Sequence, residues 1–159
     1  MKIMSSEELH KLLTKALEIE TGYEEMAKWE GYVTVKNPKY RETIFELISE
    51  SGKHATLVET LLGLVLIPKD YHPAPPRQMS FDFKGKSELE IMEILLHLEV
   101  VAYELYSDIK ASVIASDMHG LILAEDQENF IKILEELIID ESHHKDLVSS
   151  HIGHVQRIR

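Results

Sequence analysis

The position of its helix breakers constrains this chain more than any other feature. Four of the five prolines lie between Pro68 and Pro76, and only seven glycines are spread over 159 residues. On either side of that stretch the chain is long, amphipathic and nearly free of breakers, a pattern that predicts an all-α fold. The spacing predicts helices over about 6–35, 39–66, 87–117 and 125–152, within a single domain spanning 1–159. Ser5-x-x-Glu8 and Ser87-x-x-Glu90 read as capping boxes, and Pro38 suits a first helical position.

Each predicted helix carries an apolar row at steps of three and four. The first runs Leu9, Leu13, Ala16, Glu20, Tyr23, Ala27. The second runs Ile44, Leu47, Ser51, His54, Val58, Leu61, Val65. The third runs Met92, Leu95, Glu99, Ala102, Tyr106, Ile109, Val113, and the fourth Phe130, Leu134, Leu137, Glu141, His144, Leu147. Short links between helices one and two, and between three and four, predict antiparallel hairpins. The link over about 67–86 is long enough to run the length of a bundle, which would make the second and third helices parallel. Its Tyr71, Phe81 and Phe83 would pack on the bundle surface. A shift of 90 residues superposes Leu47, His54 and Val58 on Leu137, His144 and Val148, as a duplicated hairpin would.

Composition narrows the partners. Seventeen Lys+Arg against 28 Asp+Glu give a formal charge of −11, which repels nucleic-acid phosphate and attracts cations. The longest apolar run, Leu61–Ile67, is far too short to span a membrane. The N-terminus turns polar after four residues, so no secretory segment is expected. The absence of cysteine rules out disulfides, thiolate metal ligation and thiol catalysis, and suits a cytoplasmic protein.

Function is carried by the polar residues inside the apolar rows. Glu20, Ser51 with His54, Glu99, and Glu141 with His144 each interrupt a row near its middle. A buried carboxylate without a partner costs several kcal/mol or takes up a proton. Several carboxylates and imidazoles facing one another call for a cation, and this donor set suits iron, manganese or zinc. Glu141-Ser142-His143-His144 is Glu-x-x-His, which places an oxygen and a nitrogen ligand on one helix face. Any one of these residues alone is more simply solvated or salt-bridged; their shared mid-row position favours a site. His10, His97 and His119 lie off the rows, His72 falls in the long link, and His151 and His154 sit where a cation complements the end of a helix. Met26 and Met92 read as core filler, and Trp29 as packing near a helix end.

With these residues in place, the chain resembles the ferritin-like superfamily of di-iron carboxylate four-helix bundles, nearest its rubrerythrin-type branch. The resemblance spans nearly the whole chain and rests on Leu98–Tyr106 (LEVVAYELY), Asp140–Leu147 (DESHHKDL) and Phe45–His54 (FELISESGKH). It implies a long crossover between helices two and three, and a metal centre built from a Glu on each of two helices and Glu-x-x-His on the other two. It assigns Glu20 and Glu99 to the single glutamates, Glu141 to a bridging carboxylate, and His54 and His144 to terminal imidazoles. Tyr106 and Tyr23 become candidates for holding a bound oxidant.

Ser51 departs from that pattern, since it stands where the second helix should supply its Glu. Three carboxylates leave two divalent ions with a net charge of about +1, so Glu50 or an exogenous anion would have to complete the set. The resemblance implies an oxidoreductase using iron, two ions if the site is complete, on Fe(II), peroxide or O₂. Lacking the four-cysteine iron module of rubrerythrins proper, the chain would need an external electron donor. Two alternatives stay open: a non-catalytic metal-binding or storage bundle with a degenerate site, and a metal-free helical interaction protein. Trp29, Tyr32 and the aromatics of the link serve a homodimer or higher homo-oligomer as readily as local packing.

Overall fold

A computed structural model describes residues 2–3, 5–77 and 81–156, and the side chains of these except 23–26 and 153–156. It is an all-α bundle of four helical rods, with no strand among the described residues beyond an isolated bridge between Val65 and Ile122. The first rod is α1 (Ser6–Glu18), a π-helical segment (Ile19–Glu24) and α2 (Glu25–Thr34). The others are α3 (Pro38–Leu64), α4 (Glu88–Ile114) and α5 (Gln127–Gln156). Two short 3₁₀ turns, Met118–Gly120 and Ala124–Asp126, join α4 to α5.

The ends of the rods follow their capping residues. Ser5 Oγ accepts from Glu8 N at α1, and Asn37 Oδ1 accepts from Lys39 N ahead of Pro38 at α3. At α4, Ser87 and Glu90 bond each other's backbone N–H groups reciprocally. Glu88 Oε1 accepts from Lys36 N and, at 3.0 Å, from Asn37 N, which ties the start of α4 to the start of α3. At the opposite end Leu66 N donates to Leu121 O at 2.9 Å, so α3 finishes beside the α4–α5 connection.

Unlike the uninterrupted first helix expected from the sequence, this rod contains a π turn. Such turns insert one residue into an α-helix, and they occur often at functional sites. Further along the rod, Gly31 lets α2 approach α4 closely. A Cβ there would lie 3.3 Å from Ile91 Cγ2 and 3.6 Å from Leu95 Cδ1.

The rows on α3 and α4 are buried along their whole length, and so are the described members of the first row. On α5, Val148 is buried in place of the half-buried Leu147. The apolar interior forms two clusters. One gathers Leu9, Leu13, Val58, Leu61, Tyr106, Phe130 and Leu137; the other gathers Ala27, Ile44, Leu47, Ile91, Leu95 and Val148. Between these clusters lie the buried polar side chains of Glu20, Ser51, His54, Glu99, Glu141 and His144. No described helix is long and apolar enough to cross a membrane.

Candidate metal centre

The layer between the two apolar clusters contains Glu20 from the π turn, Lys28 from α2, Ser51 and His54 from α3, Glu99 from α4, and Glu141 and His144 from α5. All are at most 2% exposed. The structure therefore brings together Glu20, His54, Glu99, Glu141 and His144, the five residues singled out by their places in the rows. His54 Nδ1 lies 2.8 Å from Glu141 Oε1 and 3.6 Å from Glu20 Oε2. His144 Nδ1 lies 3.4 Å from Glu99 Oε2, and the two imidazole centroids are 5.3 Å apart. Ligand atoms of His54, Glu141 and His144 all fall within 4.8 Å of one another, close enough to share one ion.

These groups leave much of their bonding capacity unused. Both oxygens of Glu99, both of Glu141, Glu20 Oε2 and His144 Nδ1 are buried without a well-formed hydrogen bond among the described residues. Buried polar atoms are nearly always satisfied, so such a concentration of exceptions leaves donor atoms available to an ion or ordered water. Two imidazoles with flanking carboxylates are a donor set for iron, manganese or zinc, and the residues present fit such an ion.

Glu141 and Glu99 are driven in opposite directions. Burial, reinforced by the charges of Glu99 and Glu20, raises the Glu141 carboxyl well above its ordinary value. Burial pushes Glu99 up as well, but Lys28 and His144 outweigh it and hold Glu99 down to about 2. Of the two, Glu141 is thus the carboxyl that holds a proton more readily and Glu99 the one that ionises first, as expected of adjacent carboxylates in a dry layer.

The surroundings hold the donors in place. Tyr106 donates its hydroxyl to Glu20 Oε1. On the outer side of His54, Nε2 faces Asp140 Oδ2 at 3.3 Å, and Asp140 accepts from Lys53 Nζ at 2.9 Å. With Nδ1 turned inward and Nε2 toward a carboxylate, His54 is oriented as metal-binding histidines usually are. Asp140 is itself held below its ordinary value: burial raises it, and the bonds from Lys53 and His54 more than reverse that.

Other sequence expectations are placed differently. Glu50 does not enter the inner layer; its half-exposed carboxylate lies 3.8 Å from Lys53, and its ligand atom falls within 4.8 Å of those of His54 and Asp140, a second group, on the outer side of His54, close enough to hold an ion. The Tyr23 and Met26 side chains and His154 lie outside the described side chains. His10 lies off the apolar row yet is buried against Tyr71, edge to face at 5.6 Å, and burial lowers its pKa. His97 is exposed. Trp29 is 46% exposed and stands edge-on to Tyr32.

Two participants were missed by the sequence reading. Asp140 is adjacent to the Glu-x-x-His motif, and the need to orient His54 was the signal available for it. Lys28 gave no signal by period. In an unbroken α-helix it would sit about 80° around the axis from Glu20; the residue absorbed by the π turn brings that to about 20°. Comparison with family models, with curated proteins and with solved structures returned no match.

Proposed function

We propose that this chain is a ferritin-like metal-binding bundle acting as an iron carboxylate oxidoreductase on Fe(II), peroxide or O₂. The observation that carries the reading is the polar layer itself: three glutamates and two histidines, sealed between two apolar clusters, with most of their inward atoms unsatisfied. The link from Val65 to Ser87 supports the long-crossover topology, because it leaves α3 beside the α4–α5 turns and enters α4 beside the start of α3.

Iron held there supplies one-electron redox chemistry; manganese or zinc fits the same donors. The protein's own part is orientation and exclusion of water. Asp140 fixes the His54 ring, Tyr106 fixes Glu20, and Glu141 takes up or releases a proton as cations come and go. Electrons for repeated turnover come from an external donor.

The test is elemental analysis of protein purified without added metal, followed by anaerobic Fe(II) titration and rapid mixing with O₂ or peroxide. Bound iron that is oxidised on mixing supports the reading. Binding without oxidation leaves a storage or carrier role, and no binding of Fe(II), Mn(II) or Zn(II) overturns it. The Lys28–Glu99 pair favours a metal-free polar network as the second reading.

A further inference from the structure

We propose that Lys28 takes the place of a second metal ion, so that the centre holds one divalent ion per chain beside a built-in ammonium. The inference rests on the metal-binding reading above and goes beyond it to the stoichiometry and architecture of the site.

The observations are geometric. Lys28 Nζ is fully buried in the polar layer, 3.3 Å from Glu99 Oε1, and donates to Ser51 Oγ at 3.1 Å. The other oxygen of Glu99 faces His144 Nδ1 at 3.4 Å. Glu99 thus spans two poles: the ammonium on one side and the His54–Glu141–His144 cluster on the other. A carboxylate bridging two cations has this arrangement, with an amine as one of the cations.

Ser51 supplies the complementary half. Its hydroxyl accepts from Lys28 and donates to Leu47 O at 3.1 Å. A glutamate at 51 would add a fourth carboxylate where the ammonium now sits. The missing Glu and the buried Lys are therefore two parts of one replacement.

Charge leads to the same conclusion. With neutral imidazoles, one divalent ion and one ammonium neutralise the three carboxylates among the described side chains of the layer, Glu20, Glu99 and Glu141. A second divalent ion would leave two positive charges in excess within a layer closed to water, where uncompensated charge is costly.

The experiment measures bound Mn(II) by equilibrium dialysis with elemental analysis, and reads its environment by electron paramagnetic resonance. Three proteins are compared: wild type, Ser51→Glu, and Lys28→Ala/Ser51→Glu. The expected result is one Mn(II) per chain with an isolated-ion spectrum for wild type and for Ser51→Glu, whose new carboxylate pairs with Lys28. The double variant should rise toward two, with a spin-coupled spectrum. Two ions in wild type, two in Ser51→Glu, or one in a folded double variant overturns the role given to Lys28. If the double variant does not fold, the first two proteins still decide. No ion in wild type overturns the metal-binding reading itself, an outcome distinct from the others.

Discussion

Lys28 and Glu99 meet at 3.3 Å, with neither side chain exposed, and pair α2 with α4 inside the polar layer. Together with His144 the ammonium depresses the Glu99 carboxyl, so the polar layer is sensitive to a change at position 28.

Lys28→Met should therefore destabilise the metal-free protein by about 3–5 kcal/mol, the usual cost of leaving one partner of a buried pair uncompensated. With Mn(II) present the loss should be smaller, because the ion supplies Glu99 with another cation. Urea unfolding with and without Mn(II) reads both values, and equal losses would count against shared use of Glu99.

Glu141→Ala and His97→Ala separate the buried layer from the surface. Glu141 has no exposed area and lies 2.8 Å from His54, whereas His97 is exposed. Isothermal titration should show metal affinity falling by about 100-fold or more in the first variant and unchanged in the second. A similar loss in both would place the ion elsewhere.

Asp140→Asn tests orientation. The substitution preserves shape but removes the carboxylate facing His54 Nε2, and a loss of about 10–100-fold in metal affinity is expected with helical content unchanged. Circular dichroism checks the fold alongside the titration.

Metal-induced stabilisation should grow with pH. In the folded, metal-free chain the Glu141 carboxyl titrates above its ordinary value near 4.5. As pH rises past that value the unfolded chain ionises while the folded layer keeps its proton, so this group's contribution to stability declines. A bound ion displaces the proton and removes that penalty. At fixed excess Mn(II), the rise in Tm over the metal-free protein should be larger at about pH 7.5 than at about pH 5.5. A shift independent of pH would mean that Glu141 does not exchange a proton for the metal.

Tyr106→Phe removes the hydroxyl donated to Glu20 while preserving the ring in the core. A hydrogen bond to a charged group contributes about 1.5–3 kcal/mol, and thermal unfolding of the metal-free variant should show a loss of that order.

The sequence determined the helices and the residues facing inward, because both follow from a local period. An apolar side chain every three or four residues defines a face, and a charged residue within that face is costly enough to stand out, as Glu20, Glu99 and Glu141 do. The breaker-rich stretch from Pro68 to Pro76 likewise marked the long link between α3 and α4. Tertiary structure alone decided how residues from different rods meet. The π turn rotates everything after it by about one residue, roughly 100°, and so brings Lys28 inward beside Ser51 and Glu99. The packing of α5 on α3 likewise set Asp140 against the back of His54, with Glu50 on that same outer side. Periodicity describes one helix at a time, whereas a buried ammonium and the carboxylates and imidazoles that face it depend on distances between helices that only packing sets.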